Sequence, residues 1–477
     1  MQVGLEEQVA PLQGRIPVFT RSVKGAFRRF KTGVLIFAYA VYFLLPWLPW
    51  QRAGAPDQAV LFDVPGRRFL IFDLTMYPQD VVWLALLLFI AAAILFFATA
   101  LVGRAFCGYF CFQTLWTDFF IWIEAKIQGE RPARVRLYRQ PWNREKLLKV
   151  GATHLAWLAA SFWTGMTFIL YFGHAPDLVA RFFAGEAAVA AYITVAVLTV
   201  STYLAAGYMR EQICTYVCPY GRFQSVMYDP ETLAVHYDAR RGEGRLGRAS
   251  ARAGLRTAEE RHAQGHGDCI DCKLCVQVCP AGIDIREGLQ YKCISCGLCI
   301  DACNGIMDSM GFPRGLIHYD SEANLSREKP ARPHLHWKRL KVVGYGVSIV
   351  LMTAYLVYSI AARSSFEAAV TQVRQPLFVV LSNGDIRNRY QIRVTNKLGV
   401  AETFSVGIRG LPETALDLGN LREVTVKPGH SAILQASVIL DAATAAKTRE
   451  VEFVITPRAH PQEARTETAA FHYSEQR

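Results

Sequence analysis

The twelve cysteines are the residues most able to do chemistry, because all of them fall into short, regular spacings. Eight form two runs of the type CxxCxxCxxxC, which are Cys269, Cys272, Cys275 and Cys279, then Cys293, Cys296, Cys299 and Cys303. Three thiolates spaced in this way can surround one iron–sulfur cubane while the fourth reaches a neighbouring cluster. The pattern predicts two [4Fe-4S] clusters, one on Cys269, Cys272, Cys275 and Cys303 and the other on Cys279, Cys293, Cys296 and Cys299.

Zinc is the main alternative for this region, because CxxC pairs commonly bind zinc. The third cysteine at the same spacing and the proline after Cys279 favour iron–sulfur clusters instead. Asn304 stands where a proline usually follows the last cysteine, but this changes a turn preference and not a ligand. Thiols at such spacings indicate metal ligands in a reducing compartment rather than a disulfide framework.

The other four cysteines form two CxxxC pairs, Cys107 with Cys111 and Cys214 with Cys218, each after an apolar stretch. If each segment continues as a helix, both sulfurs of a pair lie on one face. Four converging thiols have three interpretations: a soft-metal site for Cu(I), a redox-active dithiol relay, or small buried residues. We favour copper because the two frames match. Each is also followed by an aromatic residue and a nearby glutamine, which hints at an internal duplication.

Five nearly charge-free stretches must position these cysteines, and each has about the 17–25 residues that a helix needs to cross a bilayer. They are residues 33–50, 81–101, 150–172, 187–208 and 342–362. Aromatic and basic residues at their ends suit lipid headgroups. Buried helices of a large soluble core are the weaker alternative. The first apolar run lacks a small-residue cleavage site, so we expect an uncleaved helix rather than a signal peptide.

Lysine and arginine are distributed unevenly between the connecting segments. They are frequent before the first span and between the second and third, at Arg15, Arg21, Lys24, Arg28, Arg29, Lys31, Arg104, Lys126, Arg131, Arg134, Arg136, Arg139, Arg144, Lys146 and Lys149. The segments after the first and third spans hold only Arg52, Arg67, Arg68 and Arg181. The positive-inside rule then places the N-terminus and the 102–149 and 209–341 loops in the bacterial cytoplasm. This topology explains most of the net charge of +12, so no nucleic-acid partner is expected.

The sequence therefore predicts a multi-domain membrane protein of the inner membrane. Its bundle of five transmembrane helices accompanies a cytoplasmic, bacterial-type two-cluster ferredoxin domain and a periplasmic immunoglobulin-like β-sandwich without an inter-sheet disulfide. The predicted parts are a cytoplasmic N-terminal segment (1–32), a membrane domain with four helices and both CxxxC pairs (33–237), a basic linker (238–262), the ferredoxin domain (263–335), the fifth helix (342–362) and the β domain (365–477).

Two features have less specific signals. The linker carries Arg241, Arg245, Arg248, Arg252 and Arg256 at three- or four-residue intervals, which would suit anionic headgroups on a helix, although its glycines favour a solvated spacer. His154 lies inside the third span and His174 beyond it, and both are expected to be packing residues. His154 is kept as a weak functional candidate because ionisable groups within membranes tend to be functional.

The motifs around the ferredoxin cysteines resemble one family closely. Gly267-Asp-Cys-Ile-Asp-Cys, Cys279-Pro-Ala-Gly-Ile-Asp-Ile-Arg and Met310-Gly-Phe-Pro-Arg-Gly-Leu-Ile-His-Tyr-Asp are similar to the cytochrome c oxidase accessory proteins called CcoG, FixG or RdxA. The resemblance spans nearly the whole chain. It implies reduction of Cu(II) to Cu(I) for assembly of a cbb-type oxidase, with a copper transporter or chaperone and oxidase subunits as partners. The electron donor stays unknown, and a homodimer is left open.

Two other functions remain open at this stage. The arrangement of four helices, CxxxC pairs and a double-cluster ferredoxin also resembles NapH-type and NosR-type electron-transfer proteins, which implies a membrane quinol dehydrogenase. A non-enzymatic scaffold for oxidase assembly, acting through the outer domain, is the third reading. The chain has no dinucleotide-binding GxGxxG stretch in the right context, so a separate reductase or a quinol must supply electrons.

Overall fold

A computed structural model describes residues 18–51, 56–251, 255–327, 333–373, 375–419 and 422–473. Arg15 and Arg52, which entered the charge count, and Arg252 of the predicted linker lie outside these ranges. The described chain divides into two compact units. One consists of residues 1–45, 88–170 and 178–352, and the other of residues 46–87, 171–177 and 353–477.

The helices carry the labels α1 to α16 in chain order. They are α1 Ala26–Leu44, α2 Val81–Val102, α3 Ala105–Tyr109, α4 Phe112–Gln128, α5 Arg131–Arg139, α6 Arg144–Leu170, α7 Ala175–Ala184, α8 Val189–Thr202, α9 Pro219–Met227, α10 Ala239–Gly242, α11 Ala258–Ala263, α12 Leu274–Gln277, α13 Leu298–Met310, α14 Glu322–Leu325, α15 Leu340–Ala361 and α16 Ala442–Ala445. Two π-helical segments, Tyr203–Met209 and Ile213–Val217, lie between α8 and α9. Short 3₁₀ turns occupy Leu45–Trp47, Pro78–Asp80, Ile285–Glu287, Glu413–Ala415 and Pro461–Glu463.

Four helices among the described residues are long and apolar enough to cross a membrane. They are Ala26–Trp47, Val81–Val102, Val189–Met209 and Leu340–Ala361. Little of their surface is buried by protein, and large side chains such as Phe37, Leu88 and Val350 are exposed along them. An apolar surface of this kind is stable in lipid, so these helices are typical of an integral membrane protein.

The third predicted span, 150–172, overlaps α6 as far as Leu170, and this helix of 27 residues is not among these four. Its apolar residues are interrupted by Thr153, His154, Ser161, Thr164 and Thr167, which lower its hydropathy. Several of these polar residues bond within the helix bundle, as Thr164 does to Ala160 O at 2.8 Å. The count of five transmembrane helices therefore stays a prediction.

The C-terminal part of the second unit is a β-sandwich, as the sequence predicted. The strands among the described residues are β1 Val60–Asp63, β2 Arg68–Ile71, β3 Leu74–Met76, β4 Ala234–Tyr237, β5 Ile317–Asp320, β6 Phe366–Gln372, β7 Val379–Val380, β8 Ile386–Asn396, β9 Glu402–Arg409, β10 Leu416–Asp417, β11 Glu423–Val426, β12 Ser431–Leu440, β13 Glu450–Pro457 and β14 Arg465–Ala470. One sheet has the order β10-β12-β8-β6 with β7 beside β8, and the other has the order β11-β9-β13-β14. The predicted alternation buries Tyr390, Ile392 and Val394 in the shared core.

The segment predicted as a solvated basic linker is instead part of the ferredoxin domain. Antiparallel strands β4 and β5 pair from either side of the cysteine runs, which brings residues 238–251 against them. Arg261 is fully buried and donates to Gly267 O and Cys269 O, both at 2.8 Å. Arg241 pairs with Asp268 at 2.5 Å. The expectation of a spacer was wrong because these arginines satisfy backbone carbonyls and carboxylates rather than water or headgroups.

The first membrane helix begins on the ferredoxin domain. Gly25 offers no side-chain cap, and the carboxylate of Asp301 on α13 instead accepts the backbone N–H of Phe27 at 3.3 Å and of Arg28 at 2.8 Å. A Cβ at Gly25 would overlap that carboxyl group. A helix start has N–H groups without intrahelical partners and attracts negative charge. Asp301 therefore joins α1 to α13.

We expect Asp301→Ala to lower the free energy of unfolding by about 1 kcal/mol, the usual cost of losing a helix cap. Chemical denaturation of the purified holoprotein, followed by cluster absorbance, measures this. Asp308→Ala is the matched control, since that aspartate pairs with Arg314 on the surface of the same helix. Equal stability of the two variants would contradict the capping role.

Candidate iron–sulfur and thiol site

Two neighbouring cavities in the ferredoxin domain divide the eight cysteines of the CxxCxxCxxxC runs. One, of about 360 Å³, is lined by Cys269, Cys272, Cys275 and Cys303. The other, of about 370 Å³, is lined by Cys279, Cys293, Cys296 and Cys299, and also by Cys275. These are the two ligand sets expected from the spacing, with Cys303 and Cys279 each crossing from its own run to the other cavity.

The backbone around both cavities has the same unusual conformation. Asp271 and Lys273 have φ of 48° and 56°, and the equivalent residues Ser295 and Gly297 have φ of 51° and 69°. L-residues seldom adopt this left-handed conformation, which costs about 1–3 kcal/mol and persists where the surroundings require it. Here it turns the chain around the cavity, so that cysteines with two residues between them line the same cavity.

The donor set and the shape of the cavities fit iron–sulfur clusters. The remaining wall residues are mostly apolar, such as Ile283, Ile285 and Leu316. In the part of the chain that the structure describes, no three or more Cys, His, Asp or Glu side chains converge on a single metal ion. Thiols that surround a cavity without meeting at one point suit a polynuclear cubane better than tetrahedral zinc. When bound, such clusters supply one-electron transfer.

The second thiol group consists of Cys107, Cys111, Cys214 and Cys218. The four lie near enough for the charges of Cys111, Cys214 and Cys218 to act on Cys107, but among the described residues no three such side chains converge on one metal position. Burial raises the pKa of Cys107 to about 12, and the charges of Cys111, Cys214 and Cys218 raise it further, while Arg104 lowers it. Burial likewise raises the pKa of Cys214 to about 11. Thiols with raised pKa values are protonated near neutral pH, so a soft metal would have to displace protons on binding, and a dithiol relay would lack the usual lowered pKa.

Neither CxxxC segment is a continuous helix, in contrast to the helical expectation. The second cysteine of each pair, Cys111 or Cys218, has an extended backbone and directly precedes the next helix. In each pair, the backbone N–H of the second cysteine donates to the carbonyl five residues earlier. Cys111 N bonds to Phe106 O at 3.0 Å, and Cys218 N bonds to Ile213 O at 2.8 Å. The matching turns agree with the duplication that the sequence suggested.

The two glutamines that follow the pairs cross-link the duplicated halves. Gln113, after the first pair, donates to Ala205 O at 2.9 Å and Arg210 O at 3.2 Å in the second half. Gln224, after the second pair, accepts from Arg104 Nε at 3.0 Å and from Cys107 Sγ at 3.2 Å in the first half. Each half therefore bonds to the other, with Gln224 in direct contact with Cys107, and the shared glutamine was the sequence signal for these cross-links.

Arg104 is the functional residue that the sequence analysis missed. Its side chain is buried, and it donates to Gln224, to Gly221 O at 2.8 Å and to Tyr291 O of the ferredoxin loop. A buried guanidinium is costly unless negative charge is near. Burial raises the pKa of Cys107, Cys214 and the cluster cysteine Cys293, and the charge of Arg104 partly offsets that rise, so the guanidinium lies near both thiol groups.

The four-cysteine group lies directly against the second cluster cavity. Cys107 packs in one apolar cluster with Cys296, Ile294 and Leu298. Tyr109 Oη donates to Cys296 O at 2.9 Å. A Cβ on Gly108 would lie 2.6 Å from Ile294 O and 3.0 Å from Cys296 Cα, so only glycine allows this approach. These contacts place Cys107 and Gly108 directly against the wall of the second cavity.

Comparisons with known proteins agree with both iron–sulfur regions. A 4Fe-4S dicluster domain model matches residues 209–322, a 4Fe-4S binding domain model matches residues 84–129, and a model for the IG-like fold at the C-terminal of FixG matches residues 356–474. RdxA of Cereibacter sphaeroides is 43% identical over 406 residues, which is 83% of each chain. RdxB of the same organism is 40% identical over 437 residues, or 89% of each chain. The nitrogen fixation protein FixG of Rhizobium meliloti is 39% identical over 447 residues, covering 86% of this chain and 84% of that protein.

This chain belongs to the FixG/RdxA family. Membership agrees with the resemblance seen in the sequence and makes the chain an iron–sulfur redox protein with an immunoglobulin-like C-terminal domain. The match over residues 84–129 includes Cys107 and Cys111, and the dicluster match begins before Cys214 and Cys218. Both thiol groups of this FixG/RdxA protein therefore fall within regions matched by iron–sulfur models.

Cys303→Ala should remove one cluster selectively, because Cys303 is the ligand from the second run that lines the first cavity. We expect iron and sulfide to fall by about half, with the EPR signal of the second cluster retained. Ser309→Ala, an exposed position on the same helix, is the control. Loss of Cys279's cluster instead would overturn the assignment of ligands to cavities.

Gly108→Ala should separate the two thiol groups. Its methyl group cannot fit against Ile294 O and Cys296, and overpacking of this kind costs about 1–3 kcal/mol of unfolding free energy. Gly305→Ala is the matched control, because nothing lies within 4 Å of its Cβ. Denaturation of both variants checks the prediction, and a Gly108→Ala protein as stable as the control would show that the contact is not tight.

Proposed function

We propose that this chain is a membrane-bound cupric reductase that reduces Cu(II) to Cu(I) for the copper centre of a cbb-type cytochrome c oxidase. The observation that carries the proposal is the contact of Cys107 and Gly108 with the Cys296 segment. A one-electron carrier bound in the second cavity would lie beside Cys107, and thiolates prefer Cu(I) to harder ions. The fold and the family support an iron–sulfur redox protein, and the use of copper as its substrate is what we propose in addition.

The reaction balances as a one-electron transfer. One electron supplied by a reduced cluster would convert one Cu(II) to Cu(I), which two or more of Cys107, Cys111, Cys214 and Cys218 would hold. Cys279, Cys293, Cys296 and Cys299 would bind the cluster nearer to Cys107, and Cys269, Cys272, Cys275 and Cys303 would bind the other. Arg104 partly offsets the rise in the pKa of Cys107 that burial causes, and its side chain donates to Tyr291 O of the ferredoxin loop.

The proposed topology follows the distribution of basic residues. The N-terminus and the ferredoxin domain face the cytoplasm, and the immunoglobulin-like domain faces the periplasm. A copper transporter or chaperone would deliver or accept copper, and the oxidase subunits would receive it. The β-sandwich is the proposed docking module for these partners.

The test adds Cu(II) to anaerobic, dithionite-reduced protein while the cluster absorbance and a Cu(I) chelator are followed. We expect one Cu(I) for each cluster electron lost, and at least a tenfold slower reaction when all four membrane cysteines are replaced by alanine. Tyr216→Ala is the matched control, since this exposed side chain lies inside the Cys214 frame.

Three results would count against the proposal. Unchanged copper reduction in the four-cysteine variant, with intact clusters, would move the copper site elsewhere. Clusters that ignore Cu(II) but respond to a quinone would favour a quinol dehydrogenase. Normal oxidase assembly with cluster-ligand variants, but not after deletion of residues 365–477, would favour a scaffold.

A further inference from the structure

The first unit contains a large, open cavity of about 660 Å³ at the Arg144 end of α6. Lys146, Val150, Thr153, His154 and Trp157 of α6 face it at helical spacing. The cavity is separate from the cysteines, but Arg210 and Glu211 line both it and a small neighbouring cavity that Cys214 also lines. Its contents would thus lie close to the four-cysteine group.

Aromatic and proton-accepting groups dominate the wall. The His154 ring stacks on Tyr208 with centroids 5.8 Å apart and planes at 15°, and it meets Trp157 edge-on at 5.2 Å. His154 Nδ1 lies 3.0 Å from Tyr203 Oη. Tyr138 and Trp142 line the opposite side. A planar ring carrying oxygen atoms suits such a wall, by stacking on the aromatic residues and hydrogen bonding to His154.

Three of the charged groups at the cavity compensate one another. Glu124 pairs with Arg210 at 2.5 Å and with Arg134 at 2.9 Å. Lys146 donates to Tyr138 O at 3.0 Å and to Gln140 O at 2.8 Å. A lipid phosphate would have to compete with Glu124 for both arginines, whereas a neutral ring would not.

The backbone beside the cavity departs from regular helix. The span continued from α8 becomes π-helical over Tyr203–Met209 and ends at Arg210 with φ of 39°. π-Segments and strained residues often mark functional sites. Here they bring Gly207 so near the Trp157 ring that a Cβ added at Gly207 would lie 3.1 Å from it. They also place Tyr208 against His154.

We infer that this cavity binds a membrane quinol, which serves as the electron donor of the protein. The inference rests on the proposed function for the fate of the electrons, but not for the binding itself. One quinol loses two electrons and two protons and becomes a quinone, while two Cu(II) become two Cu(I). His154 accepts one proton, and water in the open cavity accepts the other. Because copper takes one electron at a time, the remaining electron would be held by the clusters that the eight ferredoxin cysteines would bind.

The binding test uses holoprotein in phosphatidylcholine nanodiscs without native quinone or copper. Decylubiquinone is titrated while tryptophan fluorescence is followed, and a photoreactive azidoquinone is cross-linked and mapped by mass spectrometry. We expect labels on α6 or on residues 203–211, and a Kd at least tenfold higher for His154→Leu. His174→Leu is the matched control, with an unchanged Kd, because His174 lies beyond α6 and pairs with Asp177.

A redox readout separates this inference from the copper proposal. Anaerobic decylubiquinol should bleach the cluster absorbance of the wild type and of His174→Leu without any copper, and should act at least tenfold more slowly on His154→Leu. His154→Gln serves if the leucine variant does not fold. Labels elsewhere, equal Kd values, or displacement of the quinone by a small fraction of phosphatidylglycerol would overturn the quinol site, the last in favour of an anionic lipid.

Discussion

The hydrogen bonds of Arg104 hold together three stretches of chain that are far apart in the sequence. Arg104 itself belongs to the first CxxxC half. Its guanidinium donates to Gly221 and Gln224 of the second half and to Tyr291 of the ferredoxin loop. Burying that charge is costly without nearby anions. Thiolates of the four-cysteine group and of the second cavity can provide them, so the interaction that assembles the site also depends on what the site binds.

Internal duplication explains how two short motifs make one site. Each half has an apolar helix, a five-residue turn between its cysteines, and a glutamine that bonds to the other half. Exchange of hydrogen bonds between halves fixes their relative position more strictly than packing alone, since the bonds are directional. The ferredoxin domain repeats the same principle, because one cysteine from each run serves the other cavity.

The spacing of the cysteines predicted which of them line each cavity, and the alternation of apolar residues predicted the β-sandwich, because both patterns reflect local backbone geometry. The apolar stretches also predicted the helix positions well, although α1 begins at Ala26 rather than at Gly33. The linker and the cap by Asp301 could not be predicted, since they depend on contacts between residues distant in sequence. The surroundings of His154 could not be predicted for the same reason. Its position in an apolar stretch suggested a packing residue, and only the fold places Tyr203, Tyr208 and Trp157 around it.

The central claim is that the twelve cysteines form two cluster sites and a separate soft-metal site in contact with them. The most direct test counts iron, sulfide and copper in anaerobically purified protein, with Mössbauer spectroscopy, before and after replacement of Cys107, Cys111, Cys214 and Cys218. The account predicts about eight iron and eight sulfide per chain in both proteins, with copper lost only from the variant. About twelve iron in the wild type, falling by about four in the variant, would contradict it and make the four-cysteine group a third cluster.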